Sequence, residues 1–268
     1  MSQNFSLRSL FGGVPLVDDT FNARRMLTAV ATTRLFRAGR AKEIERSQGK
    51  ELEALLSDAL IPQRALELRH HSGFVSFPDD VAKMAPEDQH IAQQTLHGLA
   101  ALVERWHILD SVPFNFAELR RPGVISSSNF GHPQHIFLSR EAFRSPLELT
   151  EQILHESSHN WLYFIEEMWP LHTTHGEVTV DLPSGTSHRN PAEVLGASHV
   201  TTNLLTLYRS LPASDATHHR IRELEDYLCG CAELIRSVEP HLTVIGKEIG
   251  ARLLEVNRSV VLGVRCAE

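Results

Sequence analysis

Residues 145–170, which read SPLELTEQILHESSHNWLYFIEEMWP, decide the fold predicted for this chain. Ser145, Pro146 and Glu148 are typical of a helix start, as the N-cap, the first-turn proline and the capping-box acid. Pro170 ends the run, because proline cannot continue a helix. The sequence therefore predicts one long, well-bounded helix.

The segment HESSH at positions 155–159 lies in the middle of this helix. Residues four apart lie on one helix face, so His155 and His159 can direct an imidazole nitrogen at the same divalent ion, with Glu156 beside that ion but not bound to it. Two imidazoles enclosed on such a helix need partners, and a metal supplies them. The alternative is a helix with two surface histidines and an incidental glutamate.

A catalytic metal site needs a third protein ligand and an open position. Two histidines in the turn after the helix reach its middle only awkwardly, whereas Glu193 and His199 lie on the next predicted helix. We prefer His199, because a histidine in an apolar stretch is costly unless it is bonded, and an acid at a helix start is explained by capping. Glu193 would give a site of two histidines and a carboxylate. The downstream candidates are His172, His175, His188, Glu193 and His199.

Hydrophobic periodicity places further helices on both sides of this segment. Proline and glycine break the stretch from Val112 to Leu138 into loops with one or two short strands, and alternation at 177–182 suggests another strand. The chain is predicted to be mainly α with a few short β-strands, a single domain over 1–268 with a helical part at 1–110 and a metal-site part at 111–268. The predicted helices are Asp18–Arg46, Lys50–His71 with a kink at Pro62, Pro86–Ile108, Pro191–Leu211, His218–Val238 and Val244–Leu262.

Composition narrows the classes of partner. A net charge of −7 and a pI near 6.1 give no overall attraction to nucleic acid or to anionic membranes. The sequence also shows no run of about 18 apolar residues and no secretory pattern. We therefore expect a cytoplasmic protein with neither nucleic-acid nor membrane partners, which acts on a small molecule or a peptide.

Two stretches together carry a resemblance to a known family. LHESSHNWL at 154–162 and HRNPAEVLGASHV at 188–200 resemble the bacterial peptide-modification proteins named for their HExxH motif, in which the motif helix is followed by an Arg-Pro segment and a glycine-containing helix with a histidine. The resemblance covers roughly residues 152–211. Here Asn190 stands between Arg189 and Pro191.

This resemblance implies an Fe(II)- and 2-oxoglutarate-dependent oxygenase that hydroxylates a β-carbon in a ribosomally made precursor peptide. Three protein ligands would leave room on Fe(II) for the keto-acid and dioxygen. Arg189, with Arg120 and Arg121 behind it, would anchor the distal carboxylate of the co-substrate. Glu156 would position substrate or support the metal site.

Two other functions stay open at this stage. A zinc metallopeptidase would use Glu156 as the general base. A non-catalytic, peptide-binding partner would hold any metal structurally. In either catalytic case an extended peptide could pair with the strand expected at 178–182.

Overall fold

The computed structural model describes residues 6–70, 77–173 and 178–265, with side chains described up to residue 259. In these ranges the protein is mainly α-helical with a small sheet of short strands, so the predicted fold class is confirmed. None of the helices in these ranges combines the length and the hydrophobicity that a bilayer crossing requires.

The elements are numbered in chain order. The helices are α1 (Leu7–Phe11), α2 (Ala23–Arg37), α3 (Ala41–Arg46), α4 (Lys50–Asp58), α5 (Pro62–His70), α6 (Pro86–Leu102), α7 (Pro146–Met168), α8 (Pro191–Ser210), α9 (Asp215–Val238) and α10 (Val244–Arg265). Short 3-10 helices span Glu104–Ser111, Arg140–Arg144 and Glu239–His241, and the strands are β1 (Val81–Lys83), β2 (Asn115–Leu119), β3 (Ser126–Ser127) and β4 (His135–Leu138).

The chain forms two compact units. The α7 unit comprises residues 22–168, and the α8 unit comprises the residues before position 22 together with those from 169 onward. Residues 110 and 111, where the predicted helical part ends and the predicted metal-site part begins, both lie in the α7 unit. That the whole chain is one domain stays a prediction.

Helix α7 begins and ends where the sequence predicts. The Ser145 hydroxyl accepts a hydrogen bond from the Glu148 backbone N–H at 3.1 Å, and the helix ends at Met168, two residues before Pro170. Its inner face packs on α2 and α6, and Trp161, fully buried, meets Phe164 edge to face at 5.4 Å. The HESSH segment therefore lies on a well-packed central helix of its unit.

The predicted helix Asp18–Arg46 is wrong in both its start and its continuity. Asn22, not Asp18, caps α2 by accepting from the Arg25 N–H at 2.9 Å, because the Asp18 carboxylate is used by the Val14 N–H in the preceding turn. Gly39 interrupts the run with φ +74°, a conformation that glycine adopts without the cost of a Cβ.

Later helix ends also differ from the predictions. Pro62 separates α4 from α5 and occupies the first position of α5 instead of kinking one helix, as suits a residue with no N–H to donate. The helix expected over Pro86–Ile108 ends at Leu102, and a separate 3-10 helix begins at Glu104 after the extended residue Val103. His71, the expected end of the second helix, lies outside the described residues.

The sheet has the order β1-β2-β4-β3, with β2 and β4 parallel and the other pairs antiparallel. Strand β4 is buried along its whole length and contacts α7, as does the edge strand β3. The sequence pattern predicts strands in the 112–138 stretch but does not predict β1. This sheet positions the backbone that faces the motif.

In the α8 unit, α8, α9 and α10 pack against one another. The strand expected at 177–182 is wrong for the described residues: Val180 forms only a single bridge with Arg189. The chain reverses immediately, with the Leu182 N–H donating to Thr186 O at 2.9 Å, so no further pairs form. Glu177 lies outside the described residues.

A buried ion pair ties the parts of the α7 unit together. The Arg34 guanidinium donates from Nε and Nη2 to the two oxygens of Glu167 at 2.8 and 2.7 Å, and both side chains are less than 5% exposed. Nη1 donates to Gln134 Oε1 at 2.6 Å and to Ala59 O at 3.0 Å. The pair therefore joins α2, α7 and the loop before β4.

His135 at the start of β4 makes the stability of the α7 unit depend on pH. Its ring is fully buried, Nδ1 donates to Pro133 O at 2.8 Å, and Nε2 has no hydrogen-bond partner within the described residues. Burial lowers the pKa of His135, and nearby His132 lowers it further, against the opposing effect of the Pro133 hydrogen bond. The unfolded chain therefore binds this proton more readily than the folded one.

We therefore expect the free energy of unfolding to decrease as the pH is lowered. The decrease begins near the pKa of an unfolded histidine, about 6.5, and ends at the lower pKa that His135 has in the folded protein. Denaturant titrations at pH 7.5 and 5.5 measure how steeply the free energy of unfolding changes with pH. His135→Gln is expected to flatten this slope, whereas His97→Ala, which changes an exposed ring, serves as the control. An unaltered slope in His135→Gln contradicts the assignment.

Candidate metal centre

His155 and His159 project from the same face of α7. Their ring centroids lie 5.0 Å apart, and the His155 side chain is 38% exposed. Within the described residues the His155 ring makes no hydrogen bond, and its Nε2 is 4.0 Å from the Glu156 carboxylate. Two adjacent, accessible imidazoles of this kind fit two positions of a metal ion that takes nitrogen ligands.

Serine hydroxyls from the edge of the sheet hold the Glu156 side chain in place. Glu156 is only 3% exposed, and its Oε2 accepts a hydrogen bond from the Ser128 hydroxyl at 2.6 Å. The Ser126 hydroxyl lies 2.6 Å from its Oε1 and 2.7 Å from Gln152 Oε1, so these two oxygens share the single Ser126 proton. These donors compensate the carboxylate for its loss of water. The motif acid is therefore held in one position beside His155 by the edge of the sheet, a pair of contacts that the sequence analysis missed.

Asn160 connects the motif to the loop that precedes β4. Its Nδ2 donates to the Glu156 backbone carbonyl at 2.9 Å, and its Oδ1 accepts from the Gln134 backbone N–H at 2.9 Å. Gln134 adopts φ +62°, which costs a non-glycine residue roughly 1–2 kcal/mol. Its side-chain bonds to Arg34 and to the carbonyls of Leu60 and Pro113 hold it there.

An aromatic wall borders His159. Tyr163, one turn further along α7, stacks on the His159 ring with centroids 6.0 Å apart and planes 16° apart. Phe130 meets Tyr163 edge to face at 5.9 Å. The spacing of four residues between His159 and Tyr163 was a usable signal for this contact.

His199, the preferred third ligand, lies in the α8 unit. It is fully buried on α8, as its apolar neighbours predict, and its Nε2 lies 2.7 Å from Pro15 O, so Nε2 carries the proton that is donated to that carbonyl. This bond offsets the cost of burial that suggested a ligand. The ligand role of His199 stays a prediction.

Glu193 performs the capping role that the sequence predicts. Its Oε2 accepts from the Asn190 N–H at 2.8 Å, and its Oε1 accepts from Arg189 Nη1 at 2.6 Å. Both oxygens are thus engaged at the start of α8, which weighs against Glu193 as a metal ligand. The same ion pair occupies Arg189, the predicted carboxylate anchor, on a side chain that is 41% exposed.

The other candidate residues lie in turns, in a backbone bridge or in surface ion pairs. His172 forms a backbone bridge with Leu242, and His188 is an exposed turn residue with φ +60°. Arg120 and Arg121 pair at the surface of the α7 unit with Glu118 and Asp80, at 3.0 and 2.6 Å. His175 lies outside the described residues.

The centre therefore consists of two imidazoles, one fixed acid and an aromatic wall. Within the described residues, no group of three or more His, Cys, Asp or Glu side chains is arranged to hold a metal ion. The residues fit two protein ligands of such an ion, and the third is not identified. No protein-family model matches the chain, and no curated protein is significantly similar to it.

Proposed function

We propose that this protein is a metal-dependent oxygenase that uses Fe(II), 2-oxoglutarate and dioxygen to hydroxylate a β-carbon in a ribosomally made precursor peptide. The half-exposed pair His155 and His159 on one face of α7 carries the metal-binding part of this proposal, and the resemblance of residues 152–211 to the HExxH peptide-modification proteins carries the co-substrate and the peptide. These two imidazoles would hold Fe(II), which supplies the oxidising chemistry when it is bound.

The environment of Glu156 favours an oxygenase over a hydrolase. A general base takes a proton from the attacking water. Each oxygen of this carboxylate already accepts a short bond, from Ser126 on one and Ser128 on the other, so the water would have to use a remaining lone pair. A fixed, hydrogen-bonded acid is suited to orienting a neighbouring imidazole or a substrate group. We assign Glu156 this positioning role.

The edge of the sheet offers a place for an extended peptide. The Ser139 N–H donates to Ile125 O at 2.8 Å, and bonded and non-bonded pairs alternate along an antiparallel ladder. Ser126, opposite Leu138, therefore directs its own N–H and C=O away from β4. Within the described ranges no strand covers this side of β3, so a peptide could add there as a further strand.

A zinc metallopeptidase is the second candidate. Glu156 Oε1 lies 4.0 Å from His155 Nε2, close to where a general base of an HExxH peptidase is needed. In that case the serine hydroxyls would have to share the carboxylate with the attacking water. The peptidase thus accounts for the position of Glu156 but not for its two donors.

The decisive experiment adds Fe(II) and then 2-oxoglutarate to the metal-free protein without oxygen. We expect the visible charge-transfer band of a keto-acid chelated to ferrous iron, and no band in His159→Ala, whose fold is checked by circular dichroism. Absence of the band in the wild-type protein, with tight zinc binding and peptide cleavage, rejects the oxygenase in favour of the peptidase.

A further inference from the structure

Arg69, near the end of α5, is a largely enclosed cation without a dedicated acid. Its side chain is 20% exposed, and its nearest carboxylate oxygen, on Glu167, is 4.0 Å away. Both oxygens of Glu167 already accept hydrogen bonds from Arg34. Within the described residues the Arg69 guanidinium makes no hydrogen bond, and the segment 71–76 that follows α5, outside those residues, has no acidic residue in its sequence.

The charges around Arg69 leave a positive surplus. Burial lowers the pKa of Arg69, and the neighbouring cations Arg34 and Arg37 lower it further, whereas Glu167 and Glu166 raise it. Three arginines thus face two glutamates, one of which is fully engaged by Arg34. An enclosed guanidinium in such surroundings is stabilised by an additional anion.

Arg69 is connected to the imidazole pair by a continuous row of rings. Its guanidinium carbon lies 3.7 Å above the centre of the Phe130 ring. Phe130 contacts Tyr163, which stacks on His159. The adjacent His70 Nε2 lies 2.8 Å from Gly131 O, which fixes the end of α5 to the loop that carries Phe130.

We propose that Arg69 is the anion-binding residue of this centre and that it binds a carboxylate lying along Phe130 and Tyr163, which rests on the metal-dependent function above. A guanidinium presents two parallel donors that match a carboxylate. The carboxylate could belong to a dicarboxylic co-substrate or to the peptide substrate. Arg69 takes the role expected of Arg189, whose guanidinium is already paired with Glu193.

Calorimetric titration of the full-length, metal-free protein tests this assignment. The probes are glutarate, which has two carboxylates and no keto group, and acetyl-trialanine with a free or an amidated C-terminus. We expect Arg69→Gln to weaken carboxylate binding by roughly 10–100-fold, as loss of a charged hydrogen-bond partner does. Arg69→Lys should lose less, and Arg144→Gln, which changes an exposed arginine of the same unit, should bind as the wild type does.

Binding of glutarate assigns the site to a co-substrate, and binding of only the free-carboxylate peptide assigns it to the substrate. Equal affinity of the wild type and Arg69→Gln, or no carboxylate binding by the wild type at millimolar concentration, overturns the proposal. If Arg69→Gln fails to fold, modification of the wild-type protein by phenylglyoxal replaces this test. Glutarate should then slow the modification of Arg69, and an unchanged rate overturns the proposal. A protein that binds glutarate through Arg69 but gives no keto-acid band with Fe(II) keeps this site and refutes only the oxygenase.

Discussion

His155→Ala is expected to abolish stoichiometric binding of Fe(II) or Zn(II) to this protein. The two imidazoles, with ring centroids 5.0 Å apart on α7, are proposed to chelate one ion together, and the remaining histidine alone would bind it weakly. The loss should exceed the roughly 10–100-fold that removal of an outer-shell partner costs a metal site. Anaerobic equilibrium dialysis of the metal-free protein against each metal measures the affinity.

His97→Ala is the matched control for this measurement. His97 belongs to the same unit, but its ring is 77% exposed and is bonded to Asp110 at 2.7 Å, away from the motif in sequence. It should leave metal affinity unchanged. Retention of wild-type affinity by His155→Ala would show that the pair is not the metal site, and would remove the basis of both catalytic hypotheses.

Glu167→Leu is expected to lower the free energy of unfolding by about 3–5 kcal/mol, because it leaves the Arg34 guanidinium buried without its anion. Arg34 is 3% exposed at its side chain, so water cannot replace the lost carboxylate. Arg69 loses its nearest acid in the same substitution. Urea denaturation of the wild type and the variant, followed by far-UV circular dichroism, gives the difference.

The exposed pair Arg144 and Glu141 provides the comparison. These side chains are 70% and 47% exposed, and Glu141→Leu is expected to change the stability by less than about 1 kcal/mol. Adding Arg34→Met to Glu167→Leu should recover part of the loss, since the buried Arg34 charge that lost its anion is then removed as well. A loss below about 1 kcal/mol in Glu167→Leu alone would mean that the pair is hydrated in solution.

Several features of this protein follow from local sequence. The bounds of α7 follow from Ser145, Pro146 and Pro170, because capping bonds and proline geometry act within one turn. The juxtaposition of His155 and His159 is equally local, since any helix brings residues four apart onto one face. The capping role of Glu193 and the burial of His199 were also readable from their immediate neighbours.

Only the tertiary structure decided what surrounds the motif. Ser126 and Ser128 lie about thirty positions before Glu156, and Arg34 lies 133 positions from Glu167. No local pattern encodes such pairs, because they form when the sheet and the helices pack. Packing likewise pairs Arg189 with the capping residue Glu193 and places Arg69 over the Phe130 ring. The sequence by itself determined the helix and its two imidazoles, whereas the positions of the charges around them depend on contacts between distant segments.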